Sequence, residues 1–422
     1  MSRISAPKGT QDFLPDVTPK WQAVERIARE VAELYHFGEI RMPIYESTQL
    51  FHRGTGESTD IVQRETFTFQ DRGGNSLTLR PEGTPGVVRA LIEAGALNDQ
   101  GARAKVYYIG PNFRYERPQK GRYHQHHQFG VEAFGIAAAE QDAECILLQM
   151  DFYRRCGLKD LSLRINSLGD LESKQRYRQM LVDFLSPRKQ ALSEDSQRRL
   201  ELNPLRILDS KDPADIKARE GAPAAVDALS DASRAHFDRV QSLLSSEGVS
   251  FVKDSNLVRG LDYYTNTVWE VVAGGLGAQN AVGGGGRYDN LVEMLGGRPT
   301  PGVGFGCGLE RLLIALEAQG ASIETQSRPL VWLVSIGDAA RDANLKLLQE
   351  LRKNNIAADM DPTGRSPKAQ FKLADREHAA FCLVTGDSEL ASNTIVLKDM
   401  KARDETSVSR DTIAQTLHAR MS

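Results

Sequence analysis

The stretch "QFGVEAFG", residues 128–135, places polar side chains at alternate positions next to glycine. In a β-strand this spacing puts Gln128, Gly130 and Glu132 on one face and apolar residues on the other. A glutamine and a carboxylate separated by a glycine would form a small polar floor with space above it. A solvated sheet face would show the same alternation. The stretch follows a strongly basic segment, however, and this favours a binding pocket.

The segment that precedes this strand, "RYERPQKGRYHQHH", combines cations with three histidines. A zinc site needs ligands that converge on one point. The HxHH spacing instead sends His126 and His127 to opposite faces of a strand, and no cysteine lies nearby in the sequence. Contact with nucleic acid, or polar packing, is therefore favoured over a metal site. The cations of the segment are Arg114, Arg117, Lys120 and Arg122.

Glycine occupies every second position of "GVGFGCG", residues 302–308, and Arg311 follows shortly afterwards. On a strand this pattern leaves one face as bare backbone, where a flat molecule could lie with a phosphate near the arginine. The glycines include no GxGxxG triple and the sequence contains no GxxxxGK[ST] loop, so a dinucleotide fingerprint and a P-loop are excluded. A second run, "GGGG" at 283–286, costs conformational entropy on folding and also favours close approach of a ligand to the backbone.

Two further stretches place charged residues beside turn residues or tyrosines. In "LTLRPEGTPG", Glu82 and Thr84 lie where a strand gives way to proline and glycine. An ordinary turn with Thr84 as a helix N-cap explains this stretch equally well. In "VRGLDYYTNTVWE", Arg259 precedes two tyrosines, for which core tyrosines and a surface arginine are the simple explanation. Such residues indicate a site only if they converge on one cleft.

Near the C-terminus, "GRSPKAQFKLADR" carries four cations at intervals of three, four and four residues. On a helix this spacing predicts a single basic face. A solvated face and an RNA-binding face explain the stripe equally well. The four cations are Arg365, Lys368, Lys372 and Arg376.

The totals describe an ordinary globular protein of 422 residues, with 40% hydrophobic residues and a net charge of −3. This length favours two or three domains, and the small net charge confines any nucleic-acid surface to a local patch. The four cysteines show no CxxC spacing, which favours a reducing cytosol. The sequence starts without the apolar core of a signal peptide and has no apolar run long enough to span a membrane. We therefore expect a cytoplasmic protein.

Hydrophobic periodicity predicts three parts. Residues 1–320 mix helices with β-rich stretches, contain a helical insertion at about 171–250, and lead into a polar linker at 321–328. Residues 329–422 predict strand–helix–strand–helix–strand–strand, the size of a small independent α/β domain. The clearest elements predicted in the first part are helices at 21–35 and 140–156 and a hairpin at 66–80.

Together these stretches resemble the signature motifs of class II aminoacyl-tRNA synthetases. "EIRMPIYE" is similar to the first motif, "FRYERPQKGRYHQHHQFGVE" to the second in its histidine-specific form, and "GVGFGCGLER" to the third. "LVRGLDYYTNTVWE" and "GGGGRYDNLV" resemble the two segments peculiar to the histidyl-tRNA synthetases. The similarity includes "NPLRILDSKD" and the C-terminal domain, and several long motifs in the expected order make it specific.

The resemblance implies an α+β fold: an antiparallel sheet of six or more strands flanked by helices, a helical insertion, and a C-terminal α/β anticodon-binding domain. It implies that L-histidine and ATP form histidyl-adenylate, from which histidine passes to the 3′ end of tRNA(His). Mg²⁺ would accompany the ATP phosphates, and no metal would be held by protein ligands alone. The first motif, around Pro43, would form a homodimer interface.

The resemblance also implies residue roles. Arg114 and Arg259 would be catalytic, because fixed cations stabilise charge that develops on the α-phosphate, while Glu132 and Tyr264 would bind the imidazole. The histidine-binding set would be Glu82, Gly83, Thr84, Gln128, Glu132, Arg259, Tyr263 and Tyr264. The ATP-binding set would be Arg114, Glu116, Arg122, His126, Gly304, Gly306 and Arg311. The tRNA-binding set would be Arg117, Lys120, Arg122, Arg365, Lys368, Lys372 and Arg376.

Two positions of the second motif depart from the family's usual residues. His124 stands where arginine is common, and His126 stands where an aromatic residue, usually phenylalanine, lies near the adenine. Stacking would then depend on an imidazole, which is smaller and sensitive to pH.

The alternative function is that of a synthetase paralogue without aminoacylation, the regulatory subunit of ATP phosphoribosyltransferase. Such relatives usually lack the C-terminal domain and parts of the "LVRGLDYY" segment, and this chain has both. A protein that only binds RNA would leave the conjunction of Glu132, Arg259 and Arg311 unexplained.

Overall fold

The structure is a computed structural model that describes residues 4–56, 59, 61–117, 119–274, 280–325 and 328–421. The chain separates into two compact units, Met1–Thr325 and Gln326–Ser422. Each unit has its own hydrophobic core. In the described part of the chain, no helix combines the length and the apolarity needed to cross a membrane.

The first unit mixes strands with helices along its whole length. Its strands are β1 (Gly38–Glu39), β2 (Tyr45–Ser47), β3 (Phe67–Gln70), β4 (Ser76–Leu79), β5 (Ala104–Phe113), β6 (Gln125–Phe134), β7 (Leu161–Ser167), β8 (Phe251–Lys253), β9 (Thr265–Ala273), β10 (Ala281–Arg287) and β11 (Gly302–Gly308). Its α-helices are α1 (Thr18–Leu34), α2 (Thr48–Thr55), α3 (Thr84–Glu93), α4 (Ala139–Arg155), α5 (Leu171–Leu185), α6 (Glu194–Leu202), α7 (Pro213–Ala218), α8 (Asp231–Ser246), α9 (Leu291–Met294) and α10 (Leu309–Ala318). Short 3₁₀ or π turns lie at Ile61–Glu65, Ser186–Ala191, Pro204–Ile207 and Ala225–Ala228.

An eight-stranded sheet forms the centre of this unit, in the order β1-β5-β6-β11-β10-β9-β7-β8. The inner strands pair antiparallel, whereas β1 joins β5 and β8 joins β7 in parallel at the two edges. The antiparallel sheet expected from the motifs is therefore confirmed, with parallel pairings at its edges. A separate three-stranded sheet, β2-β4-β3, contains the predicted hairpin.

Helices α1, α4, α8 and α10 cover one face of the large sheet, and α3 and α9 pack against part of the other. The alternation along the strands turns Phe129, Val131 and Phe305 toward α1, α4, α8 and α10, where they join the largest hydrophobic core. The same alternation leaves Gln128, Glu132 and the strand glycines on the opposite face. This polar and partly bare face is where a ligand can approach the backbone.

The predicted helical insertion is confirmed as α5 to α8, which precede β8. On α8 the residues Phe237, Val240 and Leu244 are buried, and Leu243 packs against the core only partly buried. A small core of the insertion's own forms around Tyr177 and Leu181.

The second unit is a small α/β fold. Its elements are β12 (Val331–Ser335), α11 (Asp338–Lys353), β13 (Ala358–Met360), α12 (Pro367–Arg376), β14 (Phe381–Thr385), α13 (Asp387–Ala391), β15 (Thr394–Asp399), β16 (Glu405–Ser409), a 3₁₀ turn (Arg410–Thr412) and α14 (Ile413–Met421). The sheet order is β13-β12-β14-β15-β16, in which β12 runs parallel to β13 and β14. The predicted order of strands and helices is confirmed, and α13, β16 and α14 complete it.

Candidate active site

A pocket opens on the face of the large sheet opposite α1, α4, α8 and α10, and it gathers residues that are far apart in the sequence. It joins the turn before α3, the end of β5, the middle of β6, the loop before β9, and the glycines of β10 and β11. Nine of the residues proposed from the sequence line it: Glu82, Thr84, Arg114, Gln128, Arg259, Tyr263, Tyr264, Gly304 and Gly306.

Cross-strand register explains why glycines accompany the polar residues of β6. Glu132 lies directly opposite Gly304 of β11, and Gly130 lies opposite Gly306. A Cβ at position 304 would lie 2.1 Å from Glu132 Oε2, so only glycine leaves room for this carboxylate. The bare strand face predicted from the sequence therefore exists, and part of its space belongs to Glu132.

Glu82 is a buried carboxylate held by two hydroxyl groups. Thr55 Oγ1 donates to its Oε1 at 2.7 Å and Tyr263 OH donates to its Oε2 at 2.6 Å. Burial raises the pKa of Glu82 above its ordinary value, against the lowering effect of these two hydrogen bonds. Because both donors come from other segments, the orientation of this carboxylate is fixed before a ligand binds.

Glu132 is still more deeply buried, with 1% of its surface exposed. Thr84 Oγ1 donates to Oε1 at 2.6 Å and Tyr288 OH donates to Oε2. Burial raises the pKa of Glu132 to about 8, and the nearby Glu82 adds to this effect. The carboxyl group lies directly behind Thr84 and Tyr288, which form the pocket wall.

Two arginines bring positive charge to the same pocket. Arg114 is oriented by a hydrogen bond from its Nε to Pro81 O at 2.8 Å. Arg259 donates from Nη1 to Glu270 Oε2 at 3.1 Å, and its Nε is buried without a hydrogen-bond partner among the described residues. An arginine with an unused, buried donor is prepared to bind an anionic ligand, because an unsatisfied buried N–H is costly.

The basic segment of the second motif forms a loop between β5 and β6. In the described part of it, Arg117, Lys120 and Arg122 are exposed, and Arg122 Nη1 pairs with Glu116 Oε2 at 2.7 Å. Gly121 lies close to the side chain of Arg311. A Cβ at position 121 would lie 3.4 Å from Arg311 Cγ. Arg311 lies in the first turn of α10 and donates from Nε to Ala281 O at 2.6 Å. Glu116, Arg122 and Arg311 therefore lie beyond the residues that line the pocket.

His126 lies on the pocket face of β6, two residues from Gln128. Burial lowers its pKa to about 3, with smaller contributions from Arg114 and His127. The expectation of a pH-sensitive imidazole is therefore wrong, because the ring stays neutral throughout the physiological range.

The other two histidines are held by the protein itself. His127 packs against Phe13 and Trp21, and its Nδ1 lies 2.9 Å from Glu310 Oε1. His124 stacks on Tyr115 with ring centroids 4.8 Å apart. Among the described residues no cluster of three histidine, cysteine, aspartate or glutamate side chains is placed to hold a metal ion.

Two sequence interpretations near Glu82 need correction. Gly83, not Thr84, is the N-cap of α3, and the Thr84 hydroxyl is used by Glu132. The proposed histidine-binding residue Gly83 does not line the pocket. Its missing side chain makes room for Tyr108, whose Cζ would lie 2.2 Å from a Cβ at position 83.

Sequence reasoning missed several residues of the pocket. Tyr288 belongs to the "GGGGRYDNLV" segment, but no role was predicted for it, and its hydroxyl binds Glu132. Tyr108 follows an apolar strand pattern, and Thr55 ends a helix. No local signal marks these two residues, since their roles arise from packing between segments. Gly284 lines the pocket within the glycine run where close approach of a ligand was expected, and the pocket-lining residues that were not assigned are Tyr108, Leu261, Tyr288 and Phe305.

The basic stripe of the second unit is only partly helical. Helix α12 begins at Pro367, so Arg365 lies before it and not on its face. Arg365 Nε lies 3.7 Å from Asp361 Oδ2. Lys368, Lys372 and Arg376 are on the helix and exposed, with Arg376 paired to Glu377. The single basic face therefore consists of three cations.

Comparison with known proteins gives a consistent result for both units. The family model described as histidyl-tRNA synthetase matches residues 9–312, and that described as anticodon binding domain matches residues 330–420. Histidine–tRNA ligases of Anoxybacillus flavithermus and a Geobacillus species are each 48% identical, over 96% and 99% of both chains.

Solved structures resemble the whole chain as well. The apo histidyl-tRNA synthetase of S. aureus has a TM-score of 0.83 at 39% identity, over 98% of this chain and 99% of that one. A Bacillus halodurans protein titled ATP phosphoribosyltransferase regulatory subunit/histidyl-tRNA synthetase has a TM-score of 0.64 at 23% identity, over 92% of this chain and 99% of that one, which shows the shared fold alone.

These matches show the class of protein: the chain consists of a class II aminoacyl-tRNA synthetase catalytic unit and, after it in the sequence, an anticodon-binding unit. The chain belongs to the histidyl-tRNA synthetase family.

Proposed function

We propose that the chain is a histidine–tRNA ligase, which activates L-histidine with ATP and transfers it to the 3′ end of tRNA(His). The observation that carries the proposal is the pocket itself. It is lined by the buried carboxylate of Glu82 and by two arginines, Arg114 and Arg259, and a second buried carboxyl group, that of Glu132, lies behind its wall and binds Thr84 and Tyr288. The ammonium group and the hydrogen-bonding ring of an amino acid such as histidine need the carboxyl groups as partners, and a phosphate group needs the arginines.

Histidine binds with its α-ammonium group toward Glu82, Thr84 and Gln128. Glu82 is already fixed by Thr55 and Tyr263, so its carboxylate can accept from the ammonium group without rearrangement. Gln128 is held by Asn112, whose Nδ2 donates to its Oε1 at 2.7 Å.

The imidazole lies toward Tyr264, Tyr288 and Glu132. A site built to hydrogen-bond both ring nitrogens rejects apolar isosteres, because its buried polar groups would lose their partners. Glu132 contributes to binding the imidazole together with Tyr288, whose hydroxyl donates to the Glu132 carboxyl group. Tyr288 thus joins the residues proposed to select histidine.

In the first step a carboxylate oxygen of histidine attacks the α-phosphorus of ATP. The new bond joins that oxygen to the α-phosphorus, and the bond to the oxygen that bridges the α- and β-phosphates breaks, so pyrophosphate leaves with the electron pair. Negative charge grows on the α-phosphate oxygens, where Arg114 and Arg259 stabilise it. A preorganised group of this kind is worth about 3 kcal/mol. No nucleophilic side chain is needed.

The outer part of ATP lies toward the loop and the start of α10. Arg311 binds the γ-phosphate and Arg122 assists, while His126 packs near the adenine and Gly304 and Gly306 let the nucleotide approach the sheet. Mg²⁺ is compatible with this arrangement, since it is usually held by one or two carboxylates and the phosphates themselves. Glu116 and Glu270, which pair with Arg122 and Arg259, are two carboxylates near these arginines.

The exposed cations of the motif 2 loop, Arg117, Lys120 and Arg122, contact the acceptor end of the tRNA. In the second unit Lys368, Lys372 and Arg376 contact the anticodon arm, with Arg365 beside them. Cations on a near-neutral protein suit this task, because phosphate contacts dominate the affinity for nucleic acid.

The chain acts as a homodimer through the region of Pro43. There Ile44, Tyr45 and Phe69 expose 45%, 50% and 45% of their surface. Arg80 connects this surface with the pocket. Arg80 Nη1 donates to Met42 O at 3.2 Å and to Pro43 O at 3.3 Å. Glu82, which follows Arg80 by two residues in the sequence, lines the pocket.

The regulatory-subunit alternative is not supported. The likeness to the Bacillus halodurans structure is at the level of fold, whereas the 48% identity with histidine–tRNA ligases extends through the C-terminal unit. A charging assay with tRNA(His), ATP and labelled histidine separates the two functions. The ligase forms histidyl-tRNA, and a chain that forms none would refute the proposed function.

A further inference from the structure

The helical insertion is connected to the histidine pocket by a partly buried lysine. Lys174, on α5, donates from Nζ to Asp262 O at 3.0 Å and to Tyr264 O at 2.9 Å. Burial lowers the pKa of Lys174, and the charge of Asp262 partly offsets this. Removing the ammonium group of a lysine from water is costly, and the hydrogen bonds to two main-chain carbonyls offset part of this cost.

A second residue of the insertion grips the same loop. Asn203 Nδ2 donates to Asp262 Oδ1 at 2.9 Å. From the opposite side, Gly56 meets Asp262 so closely that a Cβ there would lie 2.9 Å from Asp262 Oδ2. Asp262 is therefore enclosed between the insertion and the end of α2.

The two carbonyls that Lys174 binds flank Tyr263 in the sequence. Tyr263 OH donates to Glu82 Oε2 at 2.6 Å. A continuous series of hydrogen bonds and peptide units thus runs from α5 of the insertion, through residues 262–264, to the carboxylate proposed to hold the α-ammonium group of histidine.

We propose that Lys174 and Asn203 are positioning residues, through which the insertion holds the 262–264 loop so that Tyr263 orients Glu82 for histidine. The inference rests on the proposed function. Neither residue lines the pocket, so both act through the loop, in which Tyr263 is the residue that binds Glu82. Anything that moves the insertion away from this loop will weaken histidine binding.

The test is histidine affinity, measured by calorimetry on the full chain with L-histidine. Lys174→Met keeps the length of the side chain but removes the donors, and it should raise the dissociation constant for histidine about tenfold, or about 1.4 kcal/mol. The KM for ATP in pyrophosphate exchange should stay within about twofold. Lys174→Arg, which retains donors, should restore most of the affinity.

Lys189→Met is the matched control, because Lys189 lies in the same insertion and pairs with Glu201 at the surface. It should bind histidine like the parent. Asn203→Ala provides a milder variant if Lys174→Met unfolds, and thermal unfolding of each variant reports on the fold.

A double-mutant cycle separates positioning from general support of the structure. If Lys174 acts through Tyr263, then Lys174→Met should add little to the loss caused by Tyr263→Phe. Full additivity, or normal histidine affinity in a folded Lys174→Met variant, would overturn the inference. Absence of histidine binding by the unmodified chain would instead refute the proposed function.

Discussion

Thr84 Oγ1 and Glu132 Oε1 are joined by a hydrogen bond of 2.6 Å between the first turn of α3 and the middle of β6. The residues proposed for the two ends of histidine are therefore in direct contact. This contact links Thr84, which lines the pocket, to the carboxyl group of Glu132 behind it.

The buried Glu132 should make stability depend on pH. Its pKa of about 8 in the folded state lies above that of an unfolded glutamate. The folded state therefore binds the proton more tightly, and stability falls as pH rises from the unfolded pKa through about 8. Glu132→Gln removes this loss, so the free energy of unfolding of the variant relative to the parent should increase between about pH 4.5 and pH 8 and level off above that, by an amount on the order of a few kcal/mol. Urea unfolding of the ligand-free proteins measures it, and a pH-independent difference would contradict the raised pKa.

Arg259→Ala should nearly abolish adenylate formation without unfolding the chain. The loss of a preorganised cation at the α-phosphate is expected to reduce kcat by about 10²–10³-fold. Histidine-dependent pyrophosphate exchange measures the effect, and circular dichroism checks the fold. Arg164→Ala is a suitable control, since Arg164 pairs with Asp254 outside the pocket. Exchange near the parental rate would remove Arg259 from its assigned role.

His126→Phe should improve the binding of ATP by the same factor at every pH near neutrality. Because the imidazole is neutral, only ring size changes, and the KM for ATP should fall about two- to fivefold through better stacking. The ratio of parent to variant KM, measured at about pH 6 and pH 8, should be constant. A ratio that changes with pH would show that His126 titrates in this range.

Charge reversal at Lys368 and Lys372 should weaken tRNA binding and leave adenylate formation unchanged. Both cations lie on α12 of the second unit and are exposed, so the double change to glutamate removes phosphate contacts. The KM for tRNA(His) should rise about tenfold or more at low salt and less at high salt. Lys346→Glu with Lys353→Glu on α11 gives the same change of charge elsewhere on this unit. An equal fall in pyrophosphate exchange would argue against the role given to α12.

Ile44→Asp should dissociate the proposed homodimer. A charge placed on the exposed apolar surface with Tyr45 and Phe69 must be desolvated on association, so light scattering should show a monomer at concentrations where the parent is dimeric. Exchange activity should fall with it, because Arg80 links this surface to the pocket. Leu345→Asp, at an exposed leucine of the second unit, is the control. A parent chain that is monomeric would contradict the dimer.

The strand that carries Gln128 and Glu132 could be predicted because its pattern is local. Alternation of period two fixes which side chains share a face, and the glycines of residues 302–308 reveal a bare surface in the same way. Helix α1 and the second unit follow from equally local periodicity. These elements account for the sheet face that bears Gln128 and the pocket glycines, whereas the roles of Glu82, Arg114 and Arg259 followed from the family resemblance.

Other features depend on contacts that no local pattern records. Tyr288 meets Glu132, and Tyr108 fills the space above Gly83, only because distant segments pack together. Burial shifts the pKa of His126 to about 3, which the sequence alone cannot indicate. Arg365 falls outside α12 because Pro367 begins the helix, where its fixed φ and missing N–H are tolerated.

The central claim is that this pocket activates histidine, and ATP–pyrophosphate exchange tests it most directly. The purified chain should exchange labelled pyrophosphate into ATP when L-histidine is supplied, and remain at background with each of the other amino acids. Arg259→Ala should fall to background with histidine as well. No exchange with histidine in the folded parent, or equal exchange with another amino acid, would contradict the claim.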